Sequence, residues 1–311
     1  KIVIIGCGHV GVSTAFCLIN QGLCDEIALI DLNEEKVLGE VLDLSQSIEY
    51  MNRNTHVKVG RYEDCEDAQI VIITASVPTP QSGNDRLKML EPSLNVMKSI
   101  ITQIKEHHFD GHLIVVSNPV DLMSYYAYKL SGLPANQVIG TGTTLDTARL
   151  KYFIAQKIQV DPRSVHAMVI GEHGDSEMIP WSTVRIGGKD IYSVVQDNQS
   201  RLGQEPYQQM KKDTIQAGWE IFNRKGNTCY GIASSTVGII RTILHNENQI
   251  LPVSTLLRGE YGQDDLFISV PAIIDRSGVR EIVELRMTPQ EQEEFNQSCQ
   301  RLKSFYDLLN Q

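Results

Sequence analysis

The chain has 311 residues, 41% of them apolar and 21% charged, the profile of an ordinary globular protein with material for two domains. Its 38 acidic residues against 28 basic ones give a formal charge of −10, which excludes general binding to a phosphate backbone. An anionic ligand must therefore be captured by a few placed cations.

No run approaches the roughly 20 apolar residues needed to cross a bilayer, so no membrane partner is expected. A strand pattern begins at residue 2, and no signal peptide is expected. The six cysteines are scattered, with no Cys-x-x-Cys pair. They read as reduced thiols of a cytoplasmic protein and offer no zinc site.

In chain order, residues 2–5, 26–31, 70–74 and 113–117 are short, near-continuously apolar runs, as strands buried on both faces should be. Between them, 10–21, 34–50 and 94–107 carry helical spacing. The alternation predicts an α/β fold with a parallel, doubly wound sheet. Near Gly140–Gly142 the pattern changes to a mixed α+β one. Residues 165–170 and 182–186 read as strands, with Gly187-Gly188 as a hairpin turn before 189–191. Two long helices are expected at 206–224 and 230–245, then strands at 253–258, 267–272 and 281–285. Thr288-Pro289-Gln290-Glu291 opens a final helix with an N-cap, a first-turn proline and a capping box. With no repeat and no low-complexity linker, the expected division is residues 1–141 and 142–311.

Gly6-Cys7-Gly8-His9-Val10-Gly11 follows the first strand and opens the first helix. Alone, such a glycine pattern is weak, but Asp31 ends the second strand twenty residues after Gly11. In that context Gly6, Gly8 and Gly11 allow a tight turn, and the helix N-terminus with His9 and Val10 offers free N–H groups to a pyrophosphate. Asp31 would accept from ribose hydroxyls and repel a 2′-phosphate, which favours NAD over NADP. The first unit therefore reads as a Rossmann domain.

Gly171-Glu172-His173-Gly174-Asp175 places one histidine between glycines after an apolar run. An imidazole exchanges protons near neutral pH at little cost, and the glycines leave room for a substrate. Asp146 and Arg149 stand three apart on a helical pattern, hence on one face; a local salt bridge is the bland alternative. Ser117-Asn118 ends a strand at the carboxyl edge of the sheet, where open α/β sheets bind ligands. Arg86 follows the polar stretch 76–85, which reads as a flexible loop.

Together, the glycine loop, Asp31, Ser117-Asn118-Pro119, Leu145-Asp146-Thr147-Ala148-Arg149 and Gly171-Glu172-His173-Gly174-Asp175 resemble the lactate/malate dehydrogenase family in order and spacing. The resemblance spans essentially the whole chain. The segments Trp181-Ser182-Thr183-Val184-Arg185 and Pro271-Ala272-Ile273-Ile274 are most similar to the L-lactate and L-2-hydroxyisocaproate branches.

The resemblance implies an NAD-dependent L-2-hydroxy acid dehydrogenase with a small 2-oxo or 2-hydroxy acid as substrate. His173 would be the acid/base, oriented by Asp146. Arg149 would clamp the substrate carboxylate with two parallel hydrogen bonds, and Arg86 would close over the carbonyl. Asn118 would orient the carbonyl and nicotinamide, with Thr228 beside the substrate. Thr74, Ala75, Asn95 and Ser117 would join the cofactor contacts.

The family's specificity position falls on Pro80, or on Gln81 if the register slides by one. No arginine or lysine lies between residues 76 and 85, and an unpaired buried carboxylate costs several kcal/mol. That disfavours oxaloacetate, so malate dehydrogenase is the lesser alternative. Pyruvate and a larger branched 2-oxo acid both remain open. Another alternative is a catalytically idle NAD-binding scaffold, but the histidine, its aspartate and both arginines are present.

His166 and Lys151 match places where fructose 1,6-bisphosphate-activated bacterial lactate dehydrogenases carry a histidine and an arginine. Lysine loses the bidentate fork, so weak activation or none is expected. The family also implies a homodimer or homotetramer.

Overall fold

The computed structural model describes residues 1–77 and 86–306, the side chains of 86–89 excepted. The first half runs β1 (Ile2–Ile5), α1 (His9–Gln21), β2 (Glu26–Ile30), α2 (Glu34–Ser47), β3 (His56–Val59) and β4 (Ile70–Ile73). It continues with α3 (Arg86–Glu106), β5 (His112–Val115), α4 (Val120–Ser131) and β6 (Val138–Gly140). The second half holds α5 (Thr144–Ile158), β7 (Val165–His166), β8 (Arg185–Ile186), β9 (Lys189–Asp190), α6 (Ile191–Asp197) and α7 (Gln199–Leu202). It ends with α8 (Pro206–Lys225), α9 (Tyr230–His245), β10 (Gln249–Arg258), β11 (Asp264–Asp275), β12 (Gly278–Ile282) and α10 (Pro289–Lys303).

Six parallel strands lie in the order β3-β2-β1-β4-β5-β6. This is the doubly wound order, with its reversal between β1 and β4. The expected Rossmann sheet is therefore present. Strands β10, β11 and β12 extend it antiparallel beyond β6, through Ser254 opposite Gly140.

Alternate residues explain why both faces are buried. Val3 and Ile5 of β1 pack into one core with Met97, Ile101 and Ile104 of α3 and Val120 of α4. Ile2 and Ile4 face the other core, with Leu18 and Ile19 of α1, Val41 of α2 and Ile240 of α9. A third core joins Leu150 and Ile154 of α5 to Val165, Val169 and Ile186. That core supports the platform from which the segment after Ile170 projects.

Several expected elements are corrected. The expected strand at 165–170 pairs only at Val165–His166, because the chain then turns away to meet Met178 and Ser269 through single bridges at Ile170 and Gly171. The expected strand at 182–186 is a short 3-10 turn at Trp181–Thr183 followed by Arg185–Ile186. Glu291 of α10 accepts from Ser182 N–H and O–H, at 2.9 and 2.6 Å, and so competes for its strand hydrogen bonds. The helix expected from residue 94 begins at Arg86 and passes through Pro92. Strand β12 sits earlier than 281–285, at Gly278–Ile282. The hairpin at Gly187-Gly188 and the Thr288 capping box form as expected. Strands β3 and β6 and helix α4 were not anticipated; β3 (His-Val-Lys-Val) lacks the continuous apolar run of the other parallel strands, and β6 has only three residues.

Candidate active site

Five segments leave the carboxyl ends of β1, β2, β4, β5 and β6, carrying Gly6, Asp31, Thr74, Ser117 and Thr141 to one edge of the sheet. Gly6 has φ +104°, and a Cβ there would lie 2.4 Å from the Ala75 backbone nitrogen. A Cβ on Gly11 would lie 2.0 Å from the Gly6 carbonyl oxygen. Both glycines are therefore required by the protein's own packing. Gly8 differs: among the described residues nothing lies within 4 Å of its would-be Cβ, although it caps α1 with no side-chain hydrogen bond.

That opening, facing the free N–H groups of a helix N-terminus, fits a pyrophosphate. Asp31 leans over the loop, accepting from Cys7 N–H at 2.6 Å and Asn33 N–H at 3.1 Å. Its carboxylate keeps further lone pairs for ribose hydroxyls. Thr74 Oγ1 donates to Gly6 O at 2.6 Å and Ser117 Oγ to Ala75 O at 2.5 Å, lacing neighbouring strand ends together. His9, Asn95 and Asn118 are exposed at this edge of the fold or on the helices that leave it, and Val10 is half-buried. The donor set fits a dinucleotide.

The candidate acid–base group is built from α5 and the segment after Ile170. Asp146, 2% exposed, sits in the first turn of α5. Its Oδ2 lies 2.6 Å from His173 Nδ1, and its Oδ1 accepts from Arg149 at 2.8 Å. Thr143 Oγ1 donates to Val169 O at 2.6 Å, and Val169 N–H donates to Thr147 Oγ1 at 2.9 Å. These two bonds lock the start of α5 against the strand leading to His173.

The segment itself is closed by reciprocal 2.9 Å bonds between Ile170 and Met178. His173 N–H donates to Asp121 Oδ2 at 2.8 Å, and Glu172 N–H to Ser298 Oγ at 2.8 Å. The imidazole is therefore held at its backbone and at Nδ1, leaving Nε2 as the nitrogen for substrate.

Charges decide the protonation states. Burial opposes ionisation of Asp146, but His173 and Arg149 outweigh it and hold the carboxyl below its ordinary range. Burial alone would depress the His173 imidazole. The Asp146 carboxylate instead raises it to about 9. Burial pushes Asp121 up to about 6, against the hydrogen bond it accepts from the His173 backbone N–H.

One ligand-capable atom each of Asp146, His173 and Glu177 lie within 4.8 Å of one another. A bound cation would face the Arg149 guanidinium, which already holds Asp146, so the trio suits proton exchange better than a metal ion.

Other expected residues are placed less decisively. Thr228 is half-buried just before α9. His166 is exposed on β7, and Lys151 is half-buried on α5, where burial lowers its ammonium pKa. Arg86 is the first residue of α3, its side chain outside the described residues, and Pro80 and Gln81 lie outside them altogether. Asp121 and Glu177 went unassigned from the sequence. Asp121 stands two residues after Pro119 of Ser117-Asn118-Pro119, and its place inside an apolar helical pattern is the signal that could have marked it. Gly218 of α8 is a further unanticipated element: a Cβ there would meet the Arg149 guanidinium at 3.3 Å.

Residues 1–140 match the lactate/malate dehydrogenase NAD-binding domain, and residues 143–309 match the lactate/malate dehydrogenase alpha/beta C-terminal domain. The chain belongs to the lactate/malate dehydrogenase family.

It is 46% identical over 309 residues to L-lactate dehydrogenase 3 of Bacillus thuringiensis subsp. konkukian, covering 99% of this chain and 98% of that one. The same identity and coverage hold for an L-lactate dehydrogenase of Lactococcus lactis subsp. cremoris. Among solved structures it resembles a ligand-bound minor L-lactate dehydrogenase of Enterococcus mundtii, with TM-score 0.95 and 45% identity over 99% of this chain and 98% of that one. A lactate dehydrogenase from a Medee basin deep-sea metagenome library has TM-score 0.96 and 39% identity over 100% and 99%. As a member of this family the chain is an NAD-dependent oxidoreductase acting on a 2-hydroxy acid.

Proposed function

We propose that the chain interconverts L-lactate and pyruvate with NAD, using His173 as the acid/base. The observation that carries this reading is the Arg149–Asp146–His173 chain, with links of 2.8 and 2.6 Å on one buried carboxylate. When bound, NADH supplies the hydride. His173 Nε2, protonated at neutral pH by the pull of Asp146, gives its proton to the ketone oxygen. Asp146 fixes the tautomer and balances the imidazolium. Arg149 pairs the substrate carboxylate, and Arg86 is assigned to polarising the carbonyl.

The absence of any lysine or arginine between residues 76 and 85 favours a monocarboxylate. Relatives at 46% identity named L-lactate dehydrogenases favour pyruvate over a branched 2-oxo acid, and Pro80 and Gln81 are assigned to reading the side chain. The change of pattern near residues 141–142 supports a cofactor unit before it and a catalytic unit after it.

Leu38 and Leu42, four apart and exposed on α2, support a homodimer or homotetramer, and the six free thiols support a cytoplasmic location. Lys151 in place of an arginine beside His166 supports weak sugar-bisphosphate activation or none. Strong saturable activation in a kinetic assay would overturn that last point.

The deciding experiment compares kcat/KM for pyruvate, 2-oxoisocaproate and oxaloacetate by NADH oxidation. Pyruvate is expected to lead. A lead for 2-oxoisocaproate would reassign the substrate, and a lead for oxaloacetate would break the charge argument over residues 76–85.

A further inference from the structure

Glu177 is 4% exposed and belongs to no step described so far. Its position is fixed by the backbone: it sits one residue before the Ile170–Met178 closure, and its N–H donates to Gly174 O at 3.3 Å. Its side chain reaches the acid–base pair, with an oxygen within 4.8 Å of both Asp146 and His173. Its Oε1 is fully buried and has no hydrogen-bond partner among the described residues.

A buried carboxylate with an unmatched oxygen is costly, whereas the protonated acid tolerates such a place. The charged groups acting on it are Asp146 and Arg149 of α5, His173 of its own segment and Lys211 of α8. Burial, reinforced by the Asp146 charge, pushes its carboxyl up to about 9.

We propose that Glu177 is a positioning residue for the acid–base step: a neutral buried acid that leaves Asp146 the one carboxylate bonded to the His173 ring, and whose ionisation shuts out the substrate anion. This rests on the reading of His173 as the acid/base. The charge count explains the requirement. On the ring side, Asp146 and a substrate carboxylate are matched by Arg149 and the His173 imidazolium, while Asp121 holds His173 from its backbone side; one more anion on the ring side adds charge with no partner.

The test follows pyruvate reduction by the full-length protein from neutral into alkaline pH, separating KM from kcat, for the wild type and Glu177→Gln. In the wild type, kcat/KM is expected to fall by up to about a hundredfold per pH unit where His173 and Glu177 lose protons together. In Glu177→Gln it is expected to fall by about tenfold per unit, the change appearing mainly in KM. Equal slopes in both proteins would overturn the proposal.

Should Glu177→Gln fail to bind NADH, carbon NMR of the Glu177 carboxyl in the wild type decides the matter. A resonance that stays protonated at neutral pH supports the proposal, and one that titrates with ordinary glutamates overturns it. That signal does not depend on turnover. A wrong assignment of His173 would show separately, as a His173→Ala protein that keeps the wild-type pH profile.

Discussion

Asp146 touches both halves of the chemistry at once: one carboxyl oxygen lies 2.6 Å from His173 Nδ1 and the other 2.8 Å from an Arg149 amine. The proposed proton donor and the proposed anion clamp therefore hang from a single carboxylate that is almost wholly enclosed. Asp146→Asn keeps the shape but cannot balance the imidazolium and presents an N–H where an acceptor is needed. It is expected to lower kcat for pyruvate reduction by about 100-fold or more, while NADH binding, read by fluorescence, stays near the wild-type value.

The raised His173 imidazole sets opposite pH dependences for the two directions. Pyruvate reduction needs the protonated ring, so it should hold up to about pH 9 and decline above it. Lactate oxidation needs the neutral ring and should climb toward the same pH. Initial rates in both directions in one buffer series check this. A reduction limb centred near the ordinary histidine range would show that Asp146 does not charge the ring.

Arg149→Lys keeps the charge and loses the fork that meets a carboxylate with two parallel bonds. Losing one charge-assisted bond costs about 1.5–3 kcal/mol, so kcat/KM for pyruvate should fall roughly 10- to 150-fold, mostly through KM. Gly218→Ala provides a graded companion. Its methyl would press on the guanidinium from 3.3 Å, and a smaller rise in KM is expected.

The glycine loop separates folding from binding. Gly6→Ala places a methyl 2.4 Å from the Ala75 nitrogen at a φ of +104°, and a loss of thermal stability is expected. Gly8→Ala meets open space, so its melting temperature should barely move while its NADH dissociation constant rises, because the methyl occupies the place of the pyrophosphate. Calorimetry and fluorescence titration on both variants check the contrast. Equal effects on stability would contradict the assigned role of Gly8.

Asp31→Ser removes the carboxylate that would repel a 2′-phosphate. The ratio of kcat/KM with NADH to that with NADPH should drop by at least about tenfold, chiefly through weaker NADH binding. An unchanged ratio would mean that Asp31 serves only the Cys7 and Asn33 backbone.

Much of this was legible in the order of residue types. The apolar runs over β1, β2, β4 and β5 and the glycines before α1 act locally, through strand burial and turn geometry, so they can be read from neighbouring residues. The same holds for the Thr288 capping box. The strands expected at 165–170 and 182–186 failed because residues outside them take their hydrogen bonds: Met178 at Ile170 and Glu291 at Ser182.

The sequence by itself determined the parallel sheet and the cofactor's class, because glycine spacing, strand period and residue chemistry are properties of short segments; the family resemblance of their motifs singled out His173, Asp146 and Arg149. Only the tertiary structure decided that Asp146 serves two partners, that Asp121 holds the His173 backbone and that Glu177 lies enclosed beside the pair. Those facts depend on which side chains lose water together, and burial is shared among residues far apart in the chain. Hydrogen-bond chemistry could be read along the chain; desolvation, which sets the charges of these acids, could not.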